Sequence, residues 1–183
     1  MKKAVVFMAD GTEECEAFLV VDLLRRAKVD VTIASTSGSL ALTTSHQIKM
    51  QADALLEDIN YAAVDLLVLP GGVAGTENMA ANGHLLNVLR SAAAEEKKIA
   101  AICAAPSILG HLGLLKGHKA TSHAKYRDQL TGAQVLDQEV VVDGNFITSF
   151  GLGGGIAFAL ELVTELAGKA EADRIRQAIE YIH

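Results

Sequence analysis

Short apolar runs recur along the chain at residues 4–9, 29–34, 65–69 and 98–102. The first, third and fourth are each followed by apolar positions at helical spacing, which predicts strands alternating with helices. Helices are expected from about Glu13 to Ala27, opened by the Asp10-Gly11-Thr12 segment, and near 84–95, 104–115, 156–167 and 170–181. Strand–helix alternation requires crossovers and so a mostly parallel sheet. The segment EVVVDGNFITSF, residues 139–150, places an Asp-Gly pair between two β-branched runs and predicts a hairpin. No repeat or linker interrupts the pattern, and one domain over residues 1–183 is expected.

The opening run AVVFMA stops at Asp10, too short for a signal peptide core, so it predicts a strand and a cytoplasmic protein. No run is long enough to span a bilayer. Half of the residues are hydrophobic, yet there are only five Phe, three Tyr and no Trp, so the core must be built from Ala, Val, Leu and Ile. The net charge is −6 and no Lys/Arg run exists to neutralise phosphates, which argues against nucleic-acid binding and for a small or neutral partner. Cys15 and Cys103 form neither a CxxC pair nor a disulfide framework, consistent with free thiols in a reducing compartment.

In an open parallel sheet, ligands sit beyond the carboxyl ends of the strands, where the strand order reverses. This directs attention to ADGTEECEA, to Pro70-Gly71-Gly72 and to AAICAAPSIL. A nucleophile on a sharp strand-to-helix turn needs small residues two before and two after it, and Cys103 has Ala101 and Ala105 there. Pro106 suits the first helical turn, and a thiol at such a turn meets free backbone N–H groups that favour its thiolate. The alternative is an inert buried cysteine.

Glu16 lies on the helical stripe of Val20, Leu23, Leu24 and Ala27, which would desolvate its carboxyl and raise its pKa. Glu13 and Glu14 suit the ordinary role of acids at a helix start, although Glu13 also aligns with Ala17, Val20 and Leu24. Gly71 and Gly72 allow close backbone approach and N–H donation to an oxyanion. His123 could share the rim with Cys103 or be a surface histidine. His84, His111, His118 and His183 show no metal-ligand spacing. GLGGG at 151–155 lacks the Lys-Ser/Thr of a phosphate loop and is read as a tight turn into a helix.

Taken together, AVVFMADGTEECEA, DLLVLPGG, AAICAAP, GHKATSH and ITSFGLGGG resemble, in order and over nearly the whole chain, the ThiJ/PfpI family. The likeness is to the branch of the Parkinsonism-associated deglycase and its bacterial relatives. That resemblance implies a flavodoxin-like three-layer α/β sandwich, of the class I glutamine amidotransferase type, and a homodimer. It implies Cys103 as nucleophile, Glu16 as its hydrogen-bonding acid, Gly71, Gly72 and Ala104 as backbone donors, and His123 nearby. Arg26 matches an arginine placed at the dimer interface near the pocket. His46 stands where the human-type branch has an arginine, and Gly151-Leu152-Gly153, preceded by Phe150, replaces a Gly-Pro-Gly turn.

The implied chemistry is cofactor-independent conversion of methylglyoxal or glyoxal, or repair of early glycation adducts on protein or nucleotides, in protection against oxidative and carbonyl stress. The rival reading is a redox sensor or chaperone using Cys103 oxidation without turnover. Ala104, where peptidase-like and amidotransferase members often carry histidine, counts against those activities.

Overall fold

The computed structural model describes residues 1–182. The elements are β1 (Lys3–Met8), α1 (Glu14–Arg26), β2 (Asp30–Ser35), β3 (Ala41–Thr43), β4 (Lys49–Gln51), β5 (Ala54–Leu55), β6 (Leu66–Leu69), α2 (Val73–Ala81) and α3 (Gly83–Ala94). They continue with β7 (Lys98–Ile102), α4 (Pro106–His111), β8 (Lys119–Ala120), β9 (Gln134–Val135), β10 (Val140–Asp143), β11 (Phe146–Ser149), α5 (Gly155–Ala167) and α6 (Lys169–Ala178).

Seven strands form the main sheet in the order β10-β11-β7-β6-β1-β2-β5. Every neighbouring pair is parallel except β10–β11, the hairpin turned at Gly144-Asn145. Pleating sends Ala4, Val6, Met8, Leu66, Val68, Ala100 and Ile102 to one face, under α1, α5 and α6. Val5, Phe7, Leu67, Leu69, Ile99 and Ala101 point to the other, beneath α3 and α4. The central strands are therefore apolar at both parities, as strands covered on two faces must be. This is the three-layer α/β sandwich with a mostly parallel sheet that the sequence predicts.

Several elements depart from the sequence reading. The helix read at 104–115 is confined to Pro106–His111. α2 has no counterpart in the predicted elements, because VAGTENMAA carries almost no one-sided apolar pattern and directly follows the two glycines. The β3–β4 hairpin and β5 are too short to show alternation. The cap of α1 is Glu13, not the Asp10-Gly11-Thr12 segment. Thr12 is otherwise engaged, its hydroxyl accepting from the Ala9 N–H at 2.9 Å.

From β1 the chain steps to β2 on one side, then crosses to build β6, β7 and β11 on the other. The order reverses between β1 and β6, so the start of α1 and Pro70-Gly71-Gly72 face one crevice, with Cys103 at the end of the next strand.

Candidate active site

Cys103 has φ +65°, a left-handed conformation that costs a non-glycine residue about 1–2 kcal/mol. Neighbours hold it there. Its N–H donates to the Ser149 carbonyl at 3.0 Å, and its carbonyl accepts from the His123 N–H at 2.8 Å. Ala101 and Ala105 are fully buried on either side, and Pro106 opens α4. The sulfur is half-buried and receives hydrogen bonds from the Gly72 and Ala104 amides.

Glu16, in the first turn of α1, is 1% exposed. Its Oε2 accepts the Gly71 N–H at 2.9 Å, and its carboxyl also bonds the Leu152 N–H and the Cys103 thiol. A side chain on Gly71 would put its Cβ 2.6 Å from both Cys103 Cβ and Glu16 Oε2, so only glycine lets the two functional groups meet. Gly151, at φ +150°, lies over the pair, where a Cβ would stand 3.8 Å from Sγ and 3.9 Å from Glu16 Oε1.

Burial pushes the Glu16 carboxyl up to about 7, against the opposing pull of the Cys103, Gly71 and Leu152 hydrogen bonds and with help from the Glu13 charge. Beside an ionised Glu16, burial, the carboxylate charge and its hydrogen bond push the Cys103 thiol up to about 12, while the Gly72 and Ala104 amides pull it down. Burial raises both groups, the Glu16 charge raises Cys103 further and the Cys103 hydrogen bond lowers Glu16, so the two titrate as a unit that passes from two protons to one near pH 7.

The placement corrects one expectation and locates another residue. Gly71 is a donor to Glu16 rather than to a ligand, so the amides facing the sulfur are those of Gly72 and Ala104. Arg26 lies at the far end of α1, roughly 15 Å along the axis from Glu16, where its Nε donates to Asp22 at 2.8 Å. It does not enter the pocket of its own chain.

His123 adjoins Cys103 through the backbone, while its Nδ1 accepts from the Lys125 N–H at 3.3 Å, so the ring caps the following 3-10 turn. His46, in the β3–β4 loop, sits with Nδ1 2.8 Å from Glu14 Oε1. Glu13, Glu14 and His46 bring three possible metal-ligand atoms within 4.8 Å of one another, a grouping that no sequence spacing foretold. Glu14 is already bonded to the Ser45 hydroxyl and the His46 N–H, so the group is satisfied by protein donors. Cys15 is exposed, and desolvation followed by the charges of Glu13, Glu14 and Glu16 holds its thiol above the ordinary value. The Leu152 amide escaped the sequence reading; it lies inside the GLGGG turn, where composition reveals geometry but not which N–H is aimed at a carboxyl.

The DJ-1/PfpI family model matches residues 2–165. Protein DJ-1 homolog B of Arabidopsis thaliana is 39% identical over 175 residues, covering 95% of this chain and 40% of that protein, so the chain spans less than half the plant relative's length. Protein dj-1beta of Drosophila melanogaster is 37% identical over 180 residues, covering 97% of this chain and 96% of the relative. Isonitrile hydratase of Pseudomonas putida is 34% identical over 142 residues, covering 76% of this chain and 61% of that enzyme. The solved structure of oxidized Toxoplasma gondii DJ-1 superposes with a TM-score of 0.96 at 33% identity, covering 100% of both chains.

Proposed function

The chain belongs to the DJ-1/PfpI family, and from that premise we propose that it is a cofactor-independent cysteine enzyme acting on methylglyoxal, glyoxal or early glycation adducts. The family includes an enzyme, isonitrile hydratase. The observation that carries the proposal is Cys103 held in a left-handed turn with its sulfur hydrogen-bonded to the buried Glu16 carboxyl.

In the reactive form the shared proton resides on Glu16 and the charge on sulfur, which the Gly72 and Ala104 amides stabilise. Sγ adds to the aldehyde carbon of methylglyoxal, the carbonyl π pair moves to oxygen, and that oxygen takes the Glu16 proton. The resulting Glu16 carboxylate removes the hydrogen of the same carbon as a proton, giving an enediolate, and returns it to the adjacent carbon. The hydroxyl proton passes to the neighbouring oxygen, leaving a lactoyl thioester. Water then breaks the S–C bond, yielding lactate and one released proton, with the thiolate and protonated Glu16 restored. His123 lies on the same rim, in reach of a proton-carrying role once a substrate is bound.

The test is lactate formation from methylglyoxal with Cys103→Ala as control. A wild type no faster than the mutant would favour the second reading, a redox-sensing stress protein or chaperone. That reading is supported by the oxidized state in which the Toxoplasma relative was solved.

The active form we propose is a cytoplasmic homodimer. Val20 and Val21 of the apolar run at 18–21 are buried within the chain, so the surface available to a second copy is instead that of half-buried Phe18 and Leu19 with exposed Leu152. Light scattering at micromolar concentration should give twice the chain mass, and a monomer would refute it. No helix among the described residues is long and apolar enough to cross a membrane.

A further inference from the structure

Glu13 occupies a position where a shorter side chain would be the ordinary choice. It caps α1, its Oε2 accepting the Glu16 N–H at 2.7 Å. Ser, Thr, Asp and Asn are the favoured residues at that position, because they reach the N–H with fewer rotors to freeze. The glutamate is also fixed at its backbone. Its N–H donates to the Gly71 carbonyl at 3.0 Å, and a Cβ on Gly72 would lie 2.6 Å from its nitrogen. One residue thus ties the start of α1 to the glycine turn that supplies amides to both Glu16 and Cys103.

Its side chain is only 13% exposed, and its second oxygen lies 3.9 Å from His46 Nδ1 without a hydrogen bond. The charge therefore stands partly desolvated, one helical turn from the Glu16 carboxyl. Around Glu16, the turn after β7 contributes Cys103, the glycine turn and the segment before α5 contribute uncharged amides, and the hairpin contributes His46, which faces Glu13 and Glu14 instead. Glu13 is the negative group that acts on Glu16 from its own helix.

We infer that Glu13 is a positioning residue: its carboxylate orients Glu16 through the main chain and acts as a fixed negative charge that delays the loss of the first proton from the Glu16–Cys103 pair, and so the onset of its one-proton state, as pH rises. The inference rests on the cysteine chemistry proposed above, and its test does not require turnover. In a Cys15→Ser background, the rate of Cys103 alkylation by iodoacetamide is followed against pH. Glu13→Ser keeps a good cap and removes the charge, whereas Glu13→Asp keeps both. The serine variant should lower the first apparent pKa of the pair by about half a unit to one unit, with the aspartate variant unmoved. An unshifted serine variant, or equal shifts in both, would overturn the inference. A failure of wild type to outpace Cys103→Ala in lactate formation would remove the enzymatic reading without altering this titration.

Discussion

Glu14 and Glu16 are two residues apart on one helix turn, both nearly covered, yet their surroundings drive them in opposite directions. Glu14 faces the β3–β4 hairpin. Burial there works to raise its pKa, but its own N–H and donors from Ser45, Thr44 and His46 outweigh it and hold the carboxyl at about 2. Glu16 faces the cysteine. Burial dominates despite two amides and a thiol, and the carboxyl stands at about 7. Donor supply set against desolvation decides which acid is a structural anchor and which can exchange a proton near neutrality.

The comparison is broken most sharply by exchanging each acid for its amide. Glu16→Gln should lower lactate formation by about 100-fold or more, the range expected for losing a general acid–base group. Glu14→Gln should leave it within a few-fold. Without the neighbouring carboxylate, Cys103 in Glu16→Gln should ionise at lower pH, seen as thiolate absorbance. Glu16→Leu, which offers no polar atom to the sulfur or to Gly71, should lose both turnover and easy ionisation. A glutamine variant with unchanged turnover would take Glu16 out of the mechanism.

The glycines sharpen the same contrast. Gly71→Ala forces a Cβ to 2.6 Å from Cys103 Cβ and Glu16 Oε2, so it should destabilise the fold by about 1–3 kcal/mol and part Glu16 from Cys103. Gly83→Ala, at the first position of α3 with open space around it, should stabilise by about 0.4–1 kcal/mol. Urea denaturation of both variants checks this. Equal effects would mean that the crowding at Gly71 is absorbed elsewhere.

The elbow was legible in the sequence because its requirements are compositional: small residues at 101 and 105, proline at 106 and a strand before them. Glu16 was legible because burial leaves a periodic trace along α1. The direction of an amide leaves no such trace, so the pattern alone tells neither that the Gly71 N–H faces Glu16 nor that the Leu152 N–H does. The resemblance puts Arg26 at a dimer interface near the pocket, a role that involves a second copy; within its own chain it ends the thirteen-residue α1, away from the site that the helix opens. The Glu14–His46 contact joins residues 32 positions apart through a hairpin whose strands are three residues long. No local pattern could announce it.

The two acids should also oppose each other in the pH dependence of stability. Glu16 is raised from 4.5 to about 7 in the fold, so its contribution is full below pH 4.5 and lost as pH rises through 7. Glu14 is lowered from 4.5 to about 2, so its contribution is present above pH 4.5 and lost as pH falls toward 2. Relative to wild type, Glu16→Gln should gain stability between pH 4.5 and 7. Glu14→Gln should be weakest at neutral pH and converge on wild type in acid. Denaturant midpoints across pH 3 to 8 that run parallel for all three proteins would refute the opposition.

The smallest effect belongs to His46. Its side chain is 72% exposed although its Nδ1 lies 2.8 Å from Glu14. Contacts of this kind contribute about 0.2–1 kcal/mol, since solvent screens the charge and ordering an exposed ring costs entropy. His46→Ala would leave Glu14 its bond from the Ser45 hydroxyl at 2.9 Å, so the carboxylate would keep partners in a covered place. The variant should therefore lose less than about 1 kcal/mol at pH 7, with the acid-side loss of stability beginning at slightly higher pH. A loss above about 2 kcal/mol would show the ring to be the main support of the buried charge. In that case the low pKa of Glu14 would come from one exposed side chain, and the hairpin hydroxyls would be secondary.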